Sequence, residues 1–127
     1  MSRWVYYNPN PLKREVGDCS VRAICKATGL DWDTVYCLEI LEGFEKKEMP
    51  SANAIWGEVL VHQGFKRYKL ETCCPPDFTV KDFCQMHPEG VYVLGLQGHV
   101  VTVVDGLYYD TWDSGERLVL NYWKKEA

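Results

Sequence analysis

The sequence predicts an α+β domain, helices first and a largely antiparallel sheet second. Three observations carry that prediction. Between residues 19 and 63, apolar positions recur at helical spacing and are punctuated by Gly29 and Gly64. From Phe65 onward short β-rich runs take over, separated by Pro75-Pro76, Gly90, Gly98 and Asp105-Gly106. No repeat or linker interrupts the 127 residues, so residues 1–127 read as one domain large enough for its own core.

The elements follow in order. Asn8-Pro9-Asn10-Pro11 is irregular, each Asn being held extended by the proline after it. Trp4, Val5, Tyr6 and Tyr7 are too apolar for a free tail, and this arm is expected to pack on the body, beside Cys19. Gly17 allows a tight entry, Asp18 suits an N-cap, and the first helix should run from Cys19 to Thr28 and stop at Gly29. Its inward stripe is Val21, Ile24, Cys25 and Thr28. Asp31 caps a second helix over Trp32 to Lys46, whose acidic residues Asp33, Glu39, Glu42 and Glu45, with Asp31, read as a solvated face. Ser51 is expected to cap a third helix from Ala52 to about Gln63, with Ile55, Trp56, Val59 and Leu60 inward. Phe65 to Leu70 alternates apolar and charged residues, as a half-exposed strand does. Thr79 with Asp82 forms a capping box for a short helix through about Met86. Strands are expected over Val91 to Leu96, His99 to Val104, Leu107 to Trp112 and Leu118 to Trp123.

Composition narrows the function classes. The formal net charge is −4 and no basic run occurs, which argues against nucleic acid as a partner. The five Trp and eight Tyr are spread along the chain, as core and pocket wall rather than a base-stacking platform. No apolar leader or membrane-length run is present, so a cytoplasmic protein without a membrane partner is expected. In that setting the six cysteines read as reduced thiols, with Cys25 and Cys37 as small buried hydrophobes.

Two stretches carry chemistry. Cys19 falls at the first position of a helix, where free N–H groups and the helix dipole stabilise a thiolate. Asp18 opposes that charge and Arg22 favours it. A thiolate nucleophile needs a base, and His99 opens one arm of a hairpin whose Asp105-Gly106 turn fixes the register. A two-residue type I′ turn pairs Val104 with Leu107, Val103 with Tyr108, Val101 with Asp110 and His99 with Trp112. His99, Val101, Tyr108, Asp110 and Trp112 then share one face, and Asp110 lies diagonal to His99. Asp113 falls on the other face and is the runner-up for orienting the imidazole.

Asp18-Cys19 opening a helix, Gly98-His99 on a strand and Asp110-Thr111-Trp112 on the next resemble the papain-like cysteine peptidases. They are similar too to the bacteriocin-processing peptidase domains and to small proteins of phages and Gram-positive bacteria. The resemblance rests on two motifs and the order of elements. It implies a minimal papain-like fold and a thiol hydrolase acting on a protein or peptide, without a cofactor, in which Cys19 attacks an amide carbonyl. His99 would take the thiol proton, Asp110 would hold the imidazole tautomer, and Trp112 would shield their hydrogen bond. Peptidase, isopeptidase and deamidase chemistry all fit that scheme. The family's oxyanion-hole Gln is missing, since Lys13-Arg14-Glu15-Val16 stands where it would be. Asn8 or Asn10 would supply the amide from further upstream. Pocket walls are expected from Trp4, Tyr6, Tyr7, Trp56 or Tyr108, around an apolar or small substrate side chain.

Two other readings come from the residues. One is a papain-like module that binds without turnover, such as an inhibitor of a host protein. The other is a zinc-stabilised interaction domain built on Cys73, Cys74, Cys84 and His87, of which Cys84 and His87 are three apart on one helix. His62, on the third helix, reads as solvent-facing.

Overall fold

The computed structural model describes residues 2–70 and 77–126. Its elements are β1 (Trp4–Tyr6), α1 (Cys19–Thr28), α2 (Trp32–Lys46), α3 (Asn53–His62), β2 (Phe65–Lys69), α4 (Val80–Met86), β3 (Val91–Leu96), β4 (His99–Val104), β5 (Leu107–Asp110) and β6 (Val119–Lys125). The strands form one six-stranded sheet in the order β1-β5-β4-β3-β6-β2. The fold is α+β, and the sheet is mixed: β1 lies parallel to β5, while every other pairing is antiparallel. The N-terminal arm is therefore an edge strand, paired Trp4 to Tyr108 and Tyr6 to Asp110.

Side-chain alternation along the central strands sends neighbours to opposite faces. Val93 and Val100 join Val21, Ile24, Trp56, Leu60 and Trp123 in a core beneath α1 and α3. Leu94, Val101 and Val103 join Phe83, Val80 and Tyr108 in a second core beneath α4. Thr102 ties the first face directly to α1, its hydroxyl donating to the Ala23 carbonyl at 2.6 Å. The sheet is thus covered on both sides, and α2 packs outside α1 and α3. At Gly57 of α3, an added Cβ would stand 2.9 Å from Cζ2 of the buried Trp123 indole. Gly57→Ala should cost about 1–3 kcal/mol of overpacking in urea denaturation; an unchanged midpoint would show that the indole can retreat.

Several local expectations hold. Gly29 ends α1 with φ 80°, the left-handed conformation a C′ glycine supplies. Asp31 caps α2 by accepting from Thr34 N–H at 2.8 Å, and Thr79 with Asp82 makes the full capping box of α4. Asp105 and Gly106 have φ 49° and 77°, the paired positive values of a type I′ turn, and Val104–Leu107 and Val103–Tyr108 pair as the turn requires.

Others are corrected. Asp18 precedes α1 but makes no side-chain cap bond, because its carboxylate is drawn to Arg22 and Trp32 instead. The stripe of α1 is broader than expected, with Ser20, Arg22 and Ala23 buried beside Val21, Ile24 and Cys25, because α2 and the sheet enclose it from two sides. Glu39 and Glu42 are buried rather than solvated, since the α1- and α3-facing side of α2 passes through them while Leu41 and Phe44 point outward. Cys37 lies on that exposed side and is not a core residue. The cap of α3 is Ala52, not Ser51, because the backbone turns one residue later, Ala52 N–H bonding the Met49 carbonyl. β5 ends at Asp110, two residues short of Trp112, where the Asp110 side chain takes up the Thr111 N–H and draws the chain out of the ladder.

Candidate active site

The start of α1, the start of β4 and the end of β5 meet at one place. His99, buried on β4, bonds through Nε2 to Asp110 Oδ2 at 2.7 Å. Nδ1 is left free on the ring, and Cys19, in the first turn of α1, stands close enough to His99 for the two side chains to shift one another's protonation. Trp112 covers the imidazole, its ring centroid 4.7 Å from that of His99 at an interplanar angle of 43°. Asp110 is fully buried and has four partners: His99, the Ser114 hydroxyl at 2.7 Å, Thr111 N–H at 2.9 Å and Arg22 Nη2 at 2.9 Å. Trp4, on the edge strand, donates its indole N–H to the Asp110 carbonyl at 3.1 Å.

Arg22 is the hub that sequence reasoning undervalued. Buried on α1, it bonds Asp18 Oδ1 at 2.6 Å with one nitrogen and Asp110 with the other. Asp18 Oδ2 accepts from the Trp32 indole at 2.9 Å. Asp18 and Arg22 are four apart on a helix, a spacing that marks an ion pair in the sequence. Nothing local marks Arg22's partner 88 residues later. Ser114 has no sequence signal.

Electrostatics at the three groups follow from these contacts. Burial pushes the Cys19 thiol up, but the bond to His99, the charge of His99, the Val100 backbone and the Arg22 charge together bring it below its ordinary value. Burial pulls His99 down, yet bonds to Asp110 and Cys19 with their charges raise it to about 9. Asp110 is raised by burial and lowered further by His99, Ser114 and Arg22, ending below the usual carboxylate range. The other buried thiols behave in the opposite way. Cys25 and Cys84, without such partners, are pushed up by burial to about 12 and about 11.

The remaining expected residues separate clearly. Asp113 accepts from the Tyr108 hydroxyl and from Gly115 N–H and makes no bond to His99. Asn8 spends its amide N–H on the Arg14 carbonyl at 3.2 Å and its oxygen on Asn10 N–H. Asn10 is buried, its oxygen accepts from Leu12 N–H at 2.9 Å, and its amide nitrogen has no hydrogen-bond partner among the described residues. Asn10 lines a cleft of about 530 Å³ whose wall also includes Gly17, Asp18 and Ser20, the residues around Cys19 in the chain. The aromatics of this cleft are Trp32 and Tyr36. None of Trp4, Tyr6, Tyr7, Trp56 and Tyr108 lines it, because Trp56 and Tyr108 are core residues and the first three belong to the edge strand and its end.

Cys84 is buried in the second core, and the His87 ring stacks on Phe83 at 3.9 Å. Cys73 and Cys74 lie outside the described residues, and among the described residues no group of three or more His, Cys, Asp or Glu side chains is placed to hold a metal. The side chain of His62 is 61% exposed, near Glu42 and Glu58. Among the described residues no helix is long and apolar enough to cross a membrane. No protein-family model, curated protein or solved structure matches this chain.

Proposed function

We propose that the protein is a thiol hydrolase of papain-like type, acting on an amide bond of a protein or peptide. The observation that supports this reading is the buried His99–Asp110 bond beside Cys19 at the start of α1, with the thiol lowered while His99 is raised. In this scheme His99 Nδ1 takes the Cys19 proton, giving a thiolate beside an imidazolium. The thiolate attacks the amide carbonyl, and the oxyanion is met by the Cys19 N–H at the start of α1 and by the Asn10 amide. Collapse of that intermediate breaks the C–N bond as His99 returns its proton to the leaving amine. Water activated by the same imidazole then hydrolyses the thioester, freeing the acid and Cys19. Asp110 keeps Nε2 protonated and the ring aimed at the thiol, and Arg22 with Ser114 keeps Asp110 in place.

The reading is tested by incubating the protein with a mixed peptide library and following new cleavage products, or the +1 Da gain of deamidation, by mass spectrometry. Cys19→Ala should abolish either product, and His99→Ala should reduce it by about 10²–10⁴-fold, the usual range for a general base. Retained turnover in Cys19→Ala would sink the proposal. The alternative of a binding module draws on the missing Gln and on Asn8 being committed to its own loop. It predicts a peptide captured intact by wild type and Cys19→Ala alike.

A further inference from the structure

The cleft beside the first turn of α1 contains a group that the hydrolase scheme leaves unused. Glu39 of α2 is 2% exposed, and its Oε1 accepts from the Ser20 hydroxyl at 3.1 Å. Its second oxygen, Oε2, is buried and has no hydrogen-bond partner among the described residues. A buried carboxylate oxygen without a donor is penalised in any fold, and it marks a place where a donor arrives from outside. Glu39 lines the cleft, together with Trp32, Tyr36, Met49 and Pro50. Trp32 and Tyr36 are stacked with centroids 4.8 Å apart, and the bond from the Trp32 indole to Asp18 fixes the pair against the start of α1. Tyr36 and Met49 are exposed. The one cation on this wall, Arg14, is exposed and forms no ion pair among the described residues.

An aromatic and apolar wall with a buried, half-satisfied carboxyl among its lining residues matches a long aliphatic stem with a positive head. We propose that this cleft binds a lysine or arginine side chain of the substrate, its ammonium or guanidinium donating to Glu39 Oε2. The word substrate rests on the thiol-hydrolase reading, whereas the basic-side-chain site stands on the cleft itself. It stands in place of the expected apolar or small side chain, which was argued from aromatics that do not line this cleft. Burial, with Asp18 adding to it against the Ser20 bond, pushes Glu39 up to about 7. A cation at Oε2 supplies the opposite charge that such a carboxylate lacks.

The test uses the Cys19→Ala chain, so that binding is read without turnover. Blocked pentapeptides Ac-Ala-Ala-Xaa-Ala-Ala-NH2, with lysine, arginine or norleucine at the centre, are titrated and followed by NMR shifts of the Trp32 indole. The lysine and arginine peptides should bind about tenfold tighter than the norleucine peptide, a ratio typical of a charge-assisted bond to a buried carboxylate. Adding Glu39→Gln, which keeps an acceptor for Ser20, should bring that ratio close to one. Tyr36→Ala, at an exposed position that leaves the core intact, should weaken the basic peptides several-fold. Equal binding of lysine and norleucine peptides, a preference that survives Glu39→Gln, or full-strength binding in Tyr36→Ala would each overturn the assignment. A lysine preference in a protein that cleaves nothing would retire the hydrolase reading and leave the site standing. A reactive Cys19 with no lysine preference would do the reverse.

Discussion

Replacing His99 with alanine should return Cys19 to the reactivity of an ordinary thiol. At pH 6 a thiol of pKa ~8.5 is only ~0.3% thiolate, and iodoacetamide labels it accordingly slowly. In the wild type the His99 bond and charge, helped by Arg22, hold the Cys19 thiol below its ordinary value. Labelling at Cys19 should therefore persist at pH 6, well above the rate at Cys37, an exposed thiol on α2 that serves as internal reference. The signs of the shifts set the window. A lowered Cys19 contributes its stabilisation above the free-thiol value and loses it as pH falls through its depressed value. A raised His99 contributes fully below ~6.5 and loses its share as pH rises through about 9. The thiolate–imidazolium pair thus lies between the depressed Cys19 value and about 9. Turnover should fall on the alkaline side near pH 9, as the leaving amine loses its proton donor, while alkylation continues. Equal labelling of Cys19 at pH 6 in wild type and His99→Ala would rule the pair out.

The second large effect is expected at Arg22. Arg22→Leu leaves two buried carboxylates, Asp18 and Asp110, facing one another's surroundings without their shared cation. Breaking a buried ion pair by removing one partner costs about 3–5 kcal/mol. For a chain of this size that corresponds to a fall in Tm of roughly 10–20 °C. Arg22→Lys should recover only part of the loss, because a single ammonium lacks the planar fork that reaches both carboxylates. The penalty should shrink in acid: Asp110 has a lowered value, so its contribution is present above ~3.9 and fades as pH falls through the lowered value. A loss below 1 kcal/mol in Arg22→Leu at pH 7 would show that the carboxylates find other partners.

How much of this was legible depends on whether a residue's partner is local. The His99–Asp110 pairing could be read because a two-residue Asp105-Gly106 turn fixes which side chains share a face. α1 ends where Gly29 places it and α2 begins where the Asp31 cap places it. β1 was missed because three residues paired in parallel across more than a hundred positions leave no periodic trace. The burial of Glu39 and Glu42 was missed because a glutamate on a helix reads as solvated until its neighbours in space are known. Asp18 shows the same limit from the other side. Its N-cap position was right, and its carboxylate went to a stronger partner, a buried guanidinium.

The span of the site along the chain has a consequence for synthesis. Cys19 takes its lowered value from a residue eighty positions later, and Arg22 and Trp4 reach Asp110 across 88 and 106 positions. Contacts of such separation form late, after the loop between them has closed. While the chain is emerging from the ribosome, α1 can form with its cysteine still an ordinary, protonated thiol. The thiol is lowered only when the hairpin around Asp105-Gly106 has been made and docked. A chain arrested before residue 110 is therefore expected to carry an inert Cys19, so reactivity reports completion of the fold.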